Sequence, residues 1–278
     1  MAATTTTHDQ LASLDSAGVR RAIRSGAYAG HTAGLAAGKL QANIAILPES
    51  LAADFTEFCL NNPKPCPLVG VTAPGDPHWT ALGDIDIRTD VPAYYFYKNG
   101  EQAASTTDIS DFWQDDLVAF ALGCSFTFEN ALIEAGIPVN HIAADRTVPM
   151  YRTSVETRAA GPFGGGTVVS MRYIPADRVD EAIEISSAFP WAHGGPLHVG
   201  DPAQIGIRDI QRPDWGDPPC GPEGVPVFWA CGVTPQNALT VARPDFCITH
   251  KPGCMLITDV NERDNAFVTQ PPAQQQGD

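Results

Sequence analysis

The sequence predicts a mixed α/β protein in which residues 1–108 and 191–278 build a main α/β layer and residues 109–190 form a smaller inserted two-layer α+β domain. Three observations carry that prediction. Segments with apolar residues at helical spacing are interleaved with short β-prone apolar runs. Between about 109 and 190 the order ends in two strands and a helix that follow a helix, a compact two-layer unit. Beyond Pro190 the texture shifts to glycine-rich loops, HGGPLHVGDP and RPDWGDPPCGPEG, divided by short apolar strands.

Taken in order, residues 1–10 are polar and without periodicity, as is the Pro- and Gln-rich tail from about 266, so both are expected to be mobile and outside the fold. Leu11, Leu14, Val19 and Ile23 recur near helical spacing and predict a first helix over 11–25, ended by Gly26 in a left-handed cap. A second helix is predicted from Pro48, with Leu51, Phe55 and Phe58 on one face and a stop before Pro63. From 61 to 88 the density of Pro, Gly and Asp predicts an irregular loop. Residues 91–97 are aromatic and β-prone, and Asn99-Gly100 is a pair that closes hairpins. Residues 108–136 read as two short helices, DISDFWQDDLVAFAL with Asp108 as N-cap and SFTFENALIEAG ended by Gly136. Strands are expected over 148–154 and 167–174, then a helix from about 176 to 188 with Val179, Ile183 and Ser186 on one side. Further short strands are expected near 204–207, 225–231 and 255–260, and the chain leaves the second of these through Gly232 into a helix capped by Thr234, with Pro235 in its first turn.

Composition narrows the function classes. With 278 residues, 44% hydrophobic and 18% charged, the chain can bury a full core and offset its ordering entropy. The 32 acidic residues outnumber the 17 basic ones, giving a net charge of −15, and the bases stand singly apart from Arg20, Arg21 and Arg24. Such a surface repels a polyanion, so nucleic acid is not an expected partner. Lysines are few (Lys39, Lys64, Lys98 and Lys251), so most positive charges are guanidinium groups, which suit bidentate carboxylate recognition. Seven cysteines without a CxxC pair argue against a disulfide framework and a zinc ribbon, and point to a reducing cytoplasm. The N-terminus lacks the charged and apolar regions of a leader, and no apolar run approaches the ~18 residues of a membrane helix. A soluble cytoplasmic chain is expected, its homo-oligomeric state left open.

Several segments collect chemistry. Gly123-Cys124-Ser125-Phe126-Thr127-Phe128-Glu129 puts a thiol and a hydroxyl at a predicted helix start, where free amides and the helix dipole favour negative charge. Cys124 there reads either as a nucleophile with a lowered pKa or as an inert buried thiol, and Ser125 as a helix cap in reach of substrate. Glu129, four residues after Ser125, shares its helical face and is an acid–base candidate, with a surface glutamate as the plain alternative. His193-Gly194-Gly195 through His198 to Asp201 gathers two imidazoles and a carboxylate in a flexible loop, suited to proton transfer, substrate contact or a metal. Arg88, in Asp84-Ile85-Asp86-Ile87-Arg88, and Arg172, in Val168-Val169-Ser170-Met171-Arg172, are candidates to hold a substrate carboxylate, with salt bridges as the alternative. Thr234 at the strand-to-helix turn and His250 at a strand end are further candidate contacts. No Walker A loop, GxGxxG fingerprint or HExxH motif is present.

Together these segments resemble the D-glutamate cyclase-like family, many of whose bacterial members carry a hydro-lyase label. The resemblance spans roughly residues 22–259. It rests on Gln41-Ala42-Asn43 with Leu47-Pro48, Asp54-Phe55 through Asn62-Pro63 and Cys66-Pro67-Leu68, Asp86-Ile87-Arg88-Thr89-Asp90, Gly123 through Glu129, Val148-Pro149-Met150-Tyr151, His193-Gly194 with His198 to Pro202, Phe228 through Gln236, and Thr249-His250. Lys39-Leu40 departs from the pattern, where an aromatic residue is expected after Gly38.

The resemblance implies a two-domain mixed α/β fold and, by analogy, dehydration of D-glutamate to 5-oxo-D-proline without a cofactor. That reaction needs a base for the ammonium, an acid or dipole cluster at the γ-carboxyl, and an anchor for the α-carboxylate. On this reading Arg88 or Arg172 anchors the substrate, Glu129 or His198 takes the proton, and the helix start at Ser125 stabilises the oxyanion. Two alternatives stand beside it. One is a metal-assisted hydro-lyase acting on another hydroxy or amino acid, with His193, His198 and Asp201 as ligands. The other is a non-catalytic protein that binds an amino acid or its lactam.

Overall fold

The structure, a computed structural model, describes residues 6–264. In chain order the elements are α1 (His8–Ala12), α2 (Ser16–Arg24), β1 (Lys39–Pro48), α3 (Glu49–Asn61), β2 (Leu68–Val71), β3 (Tyr94–Lys98), β4 (Glu101–Thr106), β5 (Leu117–Gly123) and α4 (Phe126–Glu134). There follow α5 (Asn140–Ala143), β6 (Met150–Glu156), β7 (Gly166–Ile174), α6 (Val179–Ser187), β8 (His198–Val199), β9 (Val225–Ala230), α7 (Val233–Ala242), β10 (Cys247–His250) and β11 (Leu256–Asn261). The mixed α/β class expected from the sequence is what these elements form.

Two antiparallel sheets organise them. The larger runs β2-β5-β1-β10-β3-β4, with β11 pairing the start of β1, and the smaller runs β6-β7-β9-β8. Strand β1 is the spine of the larger sheet: Ala42, Ile44 and Ile46 face one way, under the loop carrying Trp79, Leu82, Ile85 and Ile87, while Ala45 and Leu47 face Phe55 and Phe58 of α3 and Leu239 of α7. Both faces are therefore covered, and from Ile44 onward the side-chain period of two is hidden in an apolar run. In the smaller sheet Ile174, Val227 and Trp229 pack against Phe128 and Leu132 of α4 and Ala182 of α6. Val169, Met171 and Phe228 on the opposite face lie under Ile205 and Ile207.

Several expected elements form as read. Glu49 follows Pro48 into α3, Asn99 (φ 52°) and Gly100 (φ 78°) turn β3 into β4, and Gly26 (φ 73°) and Gly136 (φ 74°) take left-handed conformations after α2 and α4. Others differ, each for a physical reason. The apolar run from 117 to 123 is a strand, not the end of a helix, because all seven of its residues are buried in the middle of a sheet; only a short 3-10 turn, Ser110–Phe112, precedes it. The predicted first helix is broken in two, since Asp15 accepts the Gly18 N–H at 2.6 Å and starts α2 afresh. The strand expected near 204–207 is a 3-10 turn, Pro202–Ile205, in which the Ala203 N–H donates to the Asp201 side chain at 3.0 Å. Of the ends expected to be mobile, residues 8–10 lie in α1, capped by Thr7, while residues 1–5 and 265–278 lie outside the described residues. Strands β1 and β2 go beyond the sequence expectations: β1 opens with a polar–apolar alternation, Lys39-Leu40-Gln41-Ala42-Asn43-Ile44, whereas β2 is only a four-residue apolar run.

Candidate active site

The site begins on β7. Alternation puts Val168, Ser170 and Arg172 on one face, the face covered by α4, so a guanidinium group enters a core otherwise made of Phe128, Leu132 and Trp229. A charge there must be paired, and α4 supplies the pairing. Glu129, with no exposed surface, accepts from Arg172 Nε at 2.9 Å and from Nη2 at 2.5 Å. Ser170 Oγ accepts from Nη1 at 2.9 Å and Ser125 Oγ from Nη2 at 3.0 Å. The guanidinium carbon lies 5.3 Å from the ring centroids of both Phe128 and Trp229, which hold the group in place and keep water from it. Four of the five guanidinium N–H groups are thereby used, and one on Nη1 is left over.

A third group completes the cluster. His141, on the single turn of α5, places Nε2 3.1 Å from Glu129 Oε1, at an angle short of a well-formed hydrogen bond. Burial pushes the Glu129 carboxyl up, but His141 and Arg172 outweigh it and hold the group below the usual carboxylate range, so Glu129 is an anion. Its Oε2 atom is buried and has no hydrogen-bond partner among the described residues. His141 and Arg172 together form part of the wall of a cavity of about 20 Å³, completed by Asn140, Tyr173, Pro219 and Cys220.

The turns that position these groups are tightly built. Gly123 ends β5 where a Cβ atom would come within 1.5 Å of the Trp191 carbonyl oxygen, and Gly232 ends β9 where a Cβ would come within 1.9 Å of Asn43 Nδ2. Asn43 in turn donates to the carbonyls of Gly123 and Leu122, at 2.8 and 3.3 Å, so one buried amide side chain fixes both strand-to-helix turns. Trp191 leads into His193, a non-glycine residue at φ 76° whose Nδ1–H donates to the Lys64 carbonyl at 2.8 Å. Because a carbonyl only accepts, the proton sits on Nδ1 and Nε2 is a bare, buried lone pair. Burial pushes this imidazole down to about 4, so it is neutral. The Arg172 charge acts on it in the same direction, which places it close to the cluster.

The sequence-predicted residues thus divide. Ser125, Glu129 and Arg172 are brought into direct contact, with Cys124 and His193 within the electrostatic reach of Arg172. Ser125 occupies the cap position of α4, yet its hydroxyl makes no cap bond and turns instead to Arg172. The Cys124 thiol is pushed well up by burial, which overrides the Phe126 amide that favours a thiolate, so the lowered pKa expected at a helix start is not realised. Arg88 is spent on Asp86, two residues earlier, through Nε at 2.9 Å and Nη2 at 2.7 Å. His198 donates to the backbone carbonyl of Asp201 at 2.8 Å, while the Asp201 carboxylate caps the following turn. These two and His193 do not converge, and among the described residues no group of three or more His, Cys, Asp or Glu is placed to hold a metal ion. Thr234 does not cap α7, because its hydroxyl bridges the N–H and C=O of Val168 at 3.0 and 3.2 Å. His250 lies in the larger sheet, where its Nδ1 accepts the Ile44 N–H at 3.0 Å. His141 and Asn43 were missed as site residues: a lone histidine in a polar turn has no pattern to mark it, and Asn43 sits in an apolar run.

With this geometry in view, comparison with known proteins is informative. The family model described as D-glutamate cyclase matches residues 118–259, a span that includes Cys124, Ser125, Glu129, His141, Arg172 and His193. A Dinoroseobacter shibae protein named "Putative hydro-lyase" is 64% identical over 88% of this chain and 82% of its own length. A Ruegeria pomeroyi relative with the same name is 60% identical over 92% of this chain and 94% of its own. A Bordetella petrii relative, also so named, is 56% identical over 87% and 92%. Identity at that level across nearly the whole length leaves one assignment: the chain belongs to the D-glutamate cyclase family.

Proposed function

We propose that this protein is a hydro-lyase that closes D-glutamate, or a close analogue, into 5-oxo-D-proline with loss of water. The observation that carries the reading is the buried Arg172–Glu129 pair with one donor and one acceptor unspent. The remaining Nη1 N–H suits a substrate carboxylate, and the unpartnered Oε2 of Glu129 suits an ammonium, so the pair is complementary to the zwitterion of an amino acid. Buried between two aromatic rings, such contacts are worth more than in water, and they need no reorganisation when the substrate arrives. Within this reading Ser125 both positions Arg172 and offers its own O–H, for which no acceptor lies within reach among the described residues, to the oxygen on which charge develops. His193 presents a neutral acceptor nearby.

The test is chiral chromatography of the purified, metal-analysed protein incubated separately with D-glutamate, L-glutamate and each enantiomer of 5-oxoproline. Interconversion confined to the D pair and surviving a chelator is the expected result. No conversion in any mixture would refute the reading, and ligand-dependent thermal stabilisation without turnover would reassign the site to a binding protein.

A further inference from the structure

His141 is, with Arg172, one of the two groups of the cluster that reach the cavity. The imidazole is buried at 4% exposure, but it contributes to the wall of the small cavity where Arg172, Asn140, Tyr173, Pro219 and Cys220 also meet. Its Nε2 atom lies on the Glu129 side, 3.1 Å from Oε1. Glu129, paired with Arg172, is an anion that can only accept, so the neutral tautomer of the ring that this contact favours carries its proton on Nε2. In that tautomer Nδ1 is an unprotonated lone pair on a ring that lines the cavity. Carboxylate, imidazole and open lone pair in that order are the parts of a general base oriented by an acid partner. Catalytic hydrogen bonds with a short-of-ideal angle, like that at Nε2, often tighten only in the complex with substrate.

From this arrangement we infer that His141 is a catalytic residue, whose Nδ1 carries protons from the substrate nitrogen to the departing oxygen while Glu129 orients the ring. The inference rests on the cyclisation reading above and names the base which that reading leaves open. The atoms balance as follows. The ammonium of D-glutamate gives one proton to Nδ1, and the freed nitrogen lone pair forms the C–N bond to the γ-carboxyl carbon. The nitrogen then loses a second proton, one C–O bond of that carbon breaks, and the oxygen leaves as water carrying two protons. Two protons leave nitrogen and two reach oxygen, relayed in turn by His141, so nothing is oxidised and no net proton is consumed. Besides Glu129 from α4, the charged or titratable groups around the ring are Arg172 and Tyr173 from β7 and Cys220 from the covering loop.

The test compares wild type with His141→Gln, whose amide can still donate to Glu129 but offers no base, and with His141→Ala in added imidazole. The expected result for His141→Gln is a kcat lower by about 10²–10⁴ with KM nearly unchanged, and imidazole should restore part of the His141→Ala turnover. A kcat within about threefold of wild type in His141→Gln, or a loss lying wholly in KM without rescue, overturns the inference. Long-range proton–nitrogen spectra of ¹⁵N-histidine-labelled wild type provide a reading that needs neither a folded variant nor turnover. The expected His141 signal is the Nε2–H tautomer, and an Nδ1–H tautomer overturns the inference. If wild type leaves D-glutamate and 5-oxo-D-proline untouched, the cyclisation reading fails, and the tautomer still decides the dyad.

Discussion

Arg172 is committed to four bonds before any ligand arrives, and this makes its replacements informative in different ways. Arg172→Lys keeps the charge but cannot reach Glu129, Ser125 and Ser170 together, so turnover should be lost while the fold survives. Arg172→Met leaves Glu129 buried with only His141 for company; removing one partner of a buried pair costs about 3–5 kcal/mol, which urea denaturation would register. For Ser125→Ala the expected result is a folded protein with kcat lower by about 10²–10³, and wild-type turnover in that variant would take Ser125 out of the chemistry. Part of this site was legible in the sequence. Ser125 and Glu129 fall one helical turn apart after a glycine, and Arg172 falls two residues from Ser170 in a β-prone run, so periodicity alone put each hydroxyl and charge on a common face. Arg88 looked equally good for the same reason, but its partner Asp86 stands on the same extended face and consumes it. What periodicity cannot supply is which of two arginines finds its carboxylate locally and which must reach 43 residues back along the chain to find it.

At the scale of elements, the helices and hairpin marked by caps and glycines were readable, and the strands buried on both faces were not. In β5 Val118, Phe120 and Leu122 face α3, while Leu117, Ala119 and Ala121 face the other core, so its seven residues carry no alternation to separate a strand from a helix. The consequence reaches the site, because β5 delivers Gly123 against the Trp191 carbonyl and so sets both Ser125 and the His193 loop. Gly123→Ala has no room for its Cβ and is expected to cost about 1–3 kcal/mol or more, with activity falling further than stability as the two turns part. Crystallographic or spectroscopic evidence of an undisturbed Trp191–His193 segment in a fully active Gly123→Ala would contradict that coupling. The covering loop poses a second question of fit. The cavity beside Arg172 holds about 20 Å³, room for about one water, so the proposed cyclisation, if it takes place here, predicts that the Pro219–Cys220 wall moves to admit glutamate. Cys220 is the one cysteine of seven that is not buried. A bulky maleimide should therefore react there once, block turnover, and be excluded by bound product; Cys220→Ser should remain active and resist the reagent. Full activity of the alkylated wild type would place substrate entry elsewhere.

For the whole molecule, two imidazoles that the fold buries as neutral groups contribute to the pH dependence of stability, and Glu262, which burial pushes up to about 7, acts in the opposite sense. His193 beside the site and His250 in the larger sheet are both pushed down by burial from 6.5 to about 4. The sign follows from proton counting: between pH 6.5 and 4 the unfolded chain binds a proton at each position and the native chain does not, so stability rises with pH across that window and is complete above it. The contribution is on the order of 3 kcal/mol per histidine at most, large against the ~5–15 kcal/mol of an ordinary domain. Glu129 acts lower on the scale, since its folded value is below 4.5 and its contribution is lost only as pH falls through that value. Urea unfolding at a series of pH values should therefore show a steep decline from about pH 6.5 downward, before the carboxylates titrate. His250→Gln separates the two histidines, because His250 touches none of the groups around Arg172. Its variant should lose part of the slope while keeping turnover, and a slope between pH 6.5 and 4 that is the same in His250→Gln as in wild type would mean that this ring finds a proton, or water, inside the fold.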